Sequence, residues 1–240
     1  MSKTIQKKVI LFIVEGVSDK VALGLPMSKL VSSNDVQFAI MHGDCLNRRP
    51  ENVITAVRNS VRSIMQKYSY RRSDFKQIVH IVDTDGAFIP DKYVISRIER
   101  GIEYFNDHIE TGEYYETIQR HHRRQESAKI LSTTNEIAKI PYGIYFMSRN
   151  LEHVTQGICT SVTSKRKVEF AEEFARKYGY DAYNFMDLLF SDEVAAKNNY
   201  EDSWIDIMKG NNSLKRKCNL NFFLKDYYFD EYGDKSSMNK

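Results

Sequence analysis

Three acidic side chains stand where they could do phosphate chemistry. Glu15 directly follows an apolar run (VILFIV), and Asp83 and Asp85 directly follow a second one, in the segment HIVDTDG. Carboxylates clustered that closely repel, so ionising them together needs a cation or raises a pKa. Mg²⁺, with Mn²⁺ as a substitute, is the natural counter-ion, because it prefers oxygen ligands and keeps waters that contact phosphates. One or two such ions could stabilise the attacking and leaving oxygens of a phosphodiester displacement. Glu15 could instead be a general acid or base in a site that raises its pKa. In extended chain, residues i and i+2 face the same way with Cα atoms roughly 6.5–7 Å apart, so the DxD spacing is expected to aim Asp83 and Asp85 into one cleft.

Each feature has a plain alternative. A lone acid after a strand is usually a loop residue, and Asp-Gly favours a tight turn. Asp19 fits a stabilising charge in the first turn of a helix as well as a ligand. The joint pattern is rarer: one strand ending in EG, a helix carrying SDK, a second strand ending in HG and a third in DTDG.

The elements that must position these residues read as a parallel α/β sheet. Residues 8–14 predict a central strand buried on both faces. Ser18 is expected to cap a helix to about Val31, with Val21, Leu23, Leu25 and Leu30 as apolar contacts and Pro26 bending it or ending it early. Residues 36–41 and 77–82 predict strands two and three, and Pro50 opens a helix with Val53, Val57, Val61 and Ile64 inward. Short right-handed crossovers place strands one and three side by side with strand two outside strand one. Strand ends near such an order reversal are where open sheets bind ligands. Ile95, Ile98, Ile102, Phe105 and Ile109 then recur at helical spacing. Residues 111–140 read as a basic surface insertion, 143–147 as a fourth strand, and the remainder as short helices near 168–178 (stopped by Gly179), 183–190, 204–208 and 214–228. A soft boundary separates 1–155 from a helical extension, 156–240, whose last residues, 235–240, are expected to fray.

Composition sets the class. With 240 residues, 42% hydrophobic and 28% charged, the chain is an ordinary globular protein of one or two domains. No run approaches the roughly 18–20 apolar residues of a membrane helix. The three cysteines, Cys45, Cys159 and Cys218, form no CxxC pair, which fits a reducing cytoplasm. The net charge of +3 says little, but its distribution is uneven. Basic clusters include Arg120, His121, His122, Arg123 and Arg124 (RHHRR), and Lys165, Arg166 and Lys167 (KRK), which could hold nucleic-acid phosphates or be solvated faces. His80 reads as a core histidine, while His42 and His153 could touch substrate. Trp204, Tyr227 and Tyr228 read as core rather than base-stacking residues. No phosphate loop, GxGxxG, HExxH or GxSxG motif is present.

The segment VILFIVEGVSDKVAL, with HIVDTDG downstream, resembles the Toprim (topoisomerase–primase) fold, a Rossmann-like parallel sheet flanked by helices. The likeness covers about residues 8–90, reaching about 155 with strand four, and rests on Glu15, Gly16, Asp19, Asp83 and Asp85. The nearer relatives are the nucleases of the overcoming-lysogenization-defect type and the small Toprim-like proteins of bacterial abortive-infection and anti-phage defence. Ser148-Arg149-Asn150-Leu151-Glu152 is similar to a further S-x-x-x-E motif in some of them, which makes Glu152 a candidate ligand. Many Toprim sequences carry another acid shortly after the DxD, where this chain has Gly86-Ala87-Phe88. The resemblance implies a Mg²⁺-dependent nuclease with Glu15 as acid/base or ligand, Asp83 and Asp85 as metal ligands, and Asp19 and Glu152 in support. It also implies a nucleic-acid substrate, DNA or RNA, and a protein partner that restrains the enzyme. A non-catalytic binding module, and another phosphoryl-transfer enzyme acting on nucleotides, are the alternatives.

Overall fold

All six side chains of β1 (Val9–Val14) are buried, and their alternation feeds two cores. Ile10, Phe12 and Val14 point into one, and Val9, Leu11 and Ile13 into the other. That is the signature of a strand covered by helices on both faces. A computed structural model describes residues 7–41, 43–158 and 163–232. His42, Cys159 and the tail 235–240 lie outside the described residues.

After β1 come α1 (Val17–Leu30), β2 (Asp35–Ile40), α2 (Pro50–Lys67) and β3 (Phe75–Asp83). Three short strands follow, β4 (Val94–Ser96), β5 (Ile102–Tyr104) and β6 (Ile109–Thr111), then α3 (Tyr114–Ser132), β7 (Glu136–Ile137) and β8 (Ile140–Met147). The chain finishes with α4 (Leu151–Gln156), α5 (Ser164–Tyr180), α6 (Ala182–Phe190), α7 (Tyr200–Ile207) and α8 (Leu220–Tyr232). The main sheet has the order β2-β1-β3-β8-β7. Its first four strands are parallel, and β7 pairs antiparallel with β8. The layout is α/β and Rossmann-like, with strand order reversing between β1 and β3.

Side chains from α1, α4, α5, α6 and α8 join the first core, and those from α2, α3 and α7 the second. Residues on both sides of position 155 therefore share each hydrophobic cluster. Trp204 is buried against Phe146 and Phe88, as expected of a core residue. Among the described residues no helix is long and apolar enough to cross a membrane.

Several expectations are corrected. Gly16, not Ser18, is the N-cap of α1, and the Asp19 carboxylate accepts the Gly16 N–H at 2.9 Å. The helix runs through Pro26, whose buried ring offsets the one lost hydrogen bond. Val21 and Leu25 are exposed rather than inward. Gly179 does not stop α5; a Cβ there would lie 2.5 Å from Leu25 Cδ2, so the glycine lets α5 approach α1. The residues Ile95 to Ile109 form no helix but a small sheet, β4-β6-β5. Gly101, at φ +95°, turns the chain, and of the supposed helical stripe Ile98 is 98% exposed while Ile109 is fully buried. The stretch read as a surface insertion contains α3, which buries Thr117, His121, Arg124, Ser127, Ala128 and Leu131 along one face.

Candidate active site

Four carboxylates come to the C-terminal edge of the parallel strands because the connections leaving β1, β2 and β3 start there. Glu15 follows β1, Asp44 follows β2, Asp83 ends β3, and Asp85 lies two residues on. Asp19 joins them from the first turn of α1 and Glu152 from the first turn of α4. Met147, beside Asp83 in the β3–β8 register, accepts the Thr84 N–H at 3.1 Å. The Thr84 hydroxyl in turn accepts the Arg149 N–H at 2.9 Å. The SRNLE segment is thereby tied to the DxD turn. Asn150 caps α4 by accepting the His153 N–H at 2.9 Å, and Glu152 is buried behind it.

The DxD does not behave as extended chain. Asp85 and Gly86 adopt φ of +45° and +67°, so the strand ends at Asp83 and turns. The two aspartates consequently take different partners. Asp83 lines a cavity of ≈ 10 Å³ with Glu15 and Asp19, over a floor of Val14, Leu23, Ile81, Met147 and Leu151. That is room for about one water or a small ion. Glu15 Oε1 is buried there with no hydrogen-bond partner. Asp85 instead pairs with Arg124, whose Nη2 also lies 2.5 Å from Asp44 Oδ2.

The electrostatics follow from burial and from these neighbours. Burial, then the charges of Asp44, Asp85 and Asp19, push Glu15 well above its usual range, with Arg124 opposing. Burial, then Glu15, Asp19, Asp85 and Glu152, do the same to Asp83. Asp19 is raised by burial and by Glu152, against the Gly16 amide and Lys167. Asp44 is raised by burial, against Arg124. Burial by itself would lower the Arg124 guanidinium; Asp85, Asp44 and Glu15 outweigh it and hold it charged.

Asp44 and Arg124 are the participants that sequence reasoning missed. Asp44 stands four residues past the end of β2, in the loop before α2, so a search of that whole loop rather than of the residue directly after the strand would have found it. Arg124 was assigned to phosphate, with its neighbours, but it is only 7% exposed and faces the acids. His121 is buried too, its pKa lowered to about 4 by burial and by Arg124 and Arg120. His122 pairs with Asp91 at 3.1 Å, Arg120 donates to the Thr117 hydroxyl at 3.1 Å, and Arg123 donates to Asn47 Oδ1 at 3.0 Å. On α5, Arg166 pairs with Glu169 and Glu173 and Lys165 with Glu169, and the charge of Lys167 reaches Asp19. Within RHHRR, His121 and Arg124 thus turn inward, while His122 and the Lys165 and Arg166 side chains stay exposed. An open trench of ≈ 530 Å³ along β2 is lined instead by Lys20, Arg48 and Lys67, with no acid in its lining. His153 is buried and donates from Nδ1 to the Ser148 carbonyl at 3.0 Å, and Cys45 is buried with its thiol pushed up to about 12.

Among the described residues no three His, Cys, Asp or Glu side chains already stand in metal-ligating array, Glu15, Asp19 and Asp83 included. Glu15, Asp19 and Asp83 nevertheless fit a hard cation by donor chemistry, and the unpartnered Glu15 oxygen and the one-water cavity fit its size. Comparison with protein-family models, curated proteins and solved structures returned no match.

Proposed function

We propose that this chain is a Toprim-like, Mg²⁺-dependent nuclease that hydrolyses phosphodiester bonds. One observation carries the reading: carboxylates from β1, α1 and β3 meet at the strand-order reversal around a cavity for one small ion, where Glu15 Oε1 is buried without a partner. Glu15, Asp19 and Asp83 would hold Mg²⁺, with Glu152 behind them. The ion, when bound, supplies Lewis-acid polarisation of a phosphoryl oxygen and an acidified water. Glu15 serves there either as a ligand or, unbound to the ion, as the group that takes a proton from the attacking water. The low-dielectric floor of Val14, Leu23, Ile81, Met147 and Leu151 keeps bulk water away. Lys20, Arg48 and Lys67 offer charge to a phosphate backbone running along the trench.

The pairing of Asp85 with Arg124 favours a second reading, a non-catalytic nucleic-acid-binding module that keeps the fold while its DxD is engaged elsewhere. Cleavage assays separate the two. Plasmid DNA, single-stranded DNA, tRNA, ribosomal RNA and nucleoside triphosphates are incubated with wild type, Glu15→Gln and Asp83→Asn in Mg²⁺ or EDTA. Mg²⁺-dependent cleavage of a polymer, lost in both folded variants, is expected. Binding to nucleic acid without cleavage in either condition supports the module. Turnover of triphosphates alone points to another phosphoryl transfer.

A further inference from the structure

A protein cation, Arg124, already stands among three of the acids, Asp85, Asp44 and Glu15, and Glu15 also lines the small cavity with Asp19 and Asp83. The Arg124 guanidinium bridges Asp44 and Asp85 and leans toward the Asp83 carbonyl, with Nη1 at 3.4 Å. Its position is fixed from two sides. The flanking face of α3 is buried through Thr117, Ala128 and Leu131. The neighbouring Arg123 holds Asn47 Oδ1 at 3.0 Å, while the Asn47 N–H donates to Asp44 Oδ1 at 3.1 Å. Withdrawing Arg124 would therefore break two charge pairs, disturb the loop after β2 and leave the partly buried Asp44 and Asp85 carboxylates uncompensated.

We propose that Arg124 serves as the site's permanent second cation, so that the protein takes one divalent ion, on the Glu15, Asp19 and Asp83 side, and Asp85 is not a metal ligand. This rests on the metal-dependent reading above. A divalent ion on Asp85 would sit against the guanidinium and be repelled; the cavity beside Asp83 has no cation in its lining, although the Arg124 charge is felt at Glu15. Buried and committed to Asp44, Asp85 and the Asp83 carbonyl, the guanidinium supplies the charge compensation of a second metal but no contact to phosphate. It supplies no acidified water, so water activation falls to the single ion and Glu15. The absence of an acid after the DxD, where Gly86-Ala87-Phe88 stand, is then no defect, since that position has no second metal to hold.

The test is Mn²⁺ binding to the metal-stripped full chain, followed by titration calorimetry and by electron paramagnetic resonance. One Mn²⁺ per wild-type chain is expected, with Asp83→Asn weakening it about tenfold more than Asp85→Asn does. Arg124→Gln is expected to admit a second Mn²⁺, seen as a spin-coupled spectrum. Two ions per wild-type chain, or an Asp85→Asn loss as large as that of Asp83→Asn, overturns the proposal while leaving the metal-dependent reading intact. No Mn²⁺ on folded wild type overturns both. Where Arg124→Gln does not fold, the wild-type stoichiometry and the two aspartate variants still decide.

Discussion

A buried carboxylate oxygen without a partner is expensive, so Glu15 should cost the metal-free protein stability. Its folded-state pKa is raised from 4.5, chiefly by burial. Stability present below that value is therefore lost as pH rises. Glu15→Gln keeps the shape and removes the charge. In EDTA at pH 7.5 it should be more stable than wild type by about 1–3 kcal/mol, and the gap should close below pH 4.5. Mg²⁺ should raise the wild-type melting temperature and leave the variant's unchanged, as scanning calorimetry can check. A variant less stable than wild type in EDTA would contradict the burial argument. At this scale the sequence was informative where a rule about strand ends applied, at Glu15 and Asp83. It was silent about partners: nothing local to Arg124 says that the last arginine of a basic cluster turns inward, because that depends on which face of α3 the fold buries.

The four parallel strands were legible and α3 was not, for a single reason. β1 and β3 are nearly unbroken apolar runs, and Pro50 with Val53, Val57, Val61 and Ile64 marks α2 by period and by cap. On α3 the same period is written in Thr117, His121, Arg124 and Ser127, polar residues that a hydrophobicity pattern does not count. Conversely, isoleucines at helical spacing from Ile95 to Ile109 fall on three short strands, where Gly101 interrupts what their period suggested. β3 carries a further consequence. His80 is fully buried on it, bonded through Nδ1 to the Tyr142 hydroxyl at 2.8 Å, and burial lowers its pKa from 6.5 to about 3. A depressed folded-state pKa gives stability that is complete above pH 6.5 and is lost as pH falls toward 3. The loss from this one group is on the order of 4 kcal/mol. His80→Gln should flatten the fall in unfolding free energy over that range in chemical denaturation. An unchanged slope would mean that the acid sensitivity lies elsewhere, in His121 and His153, whose pKa values are lowered to about 4.

For the whole molecule, the order β2-β1-β3 followed from short right-handed crossovers, and with it the convergence of Glu15 and Asp83. The far end of the chain was less legible. Residues 156–240 were expected as a helical extension, yet Phe174, Phe185, Phe223 and Leu224 complete the core beneath β1 and β3. Cores assembled from distant segments leave no local signal of where each piece docks. The central claim, that this sheet edge exists to hold a divalent cation, meets its most direct test in crystals soaked with Mn²⁺ and measured for anomalous scattering. One peak among Glu15, Asp19 and Asp83 is expected, with the Arg124 guanidinium still between Asp44 and Asp85. No peak at that edge in crystals of the folded protein would contradict it.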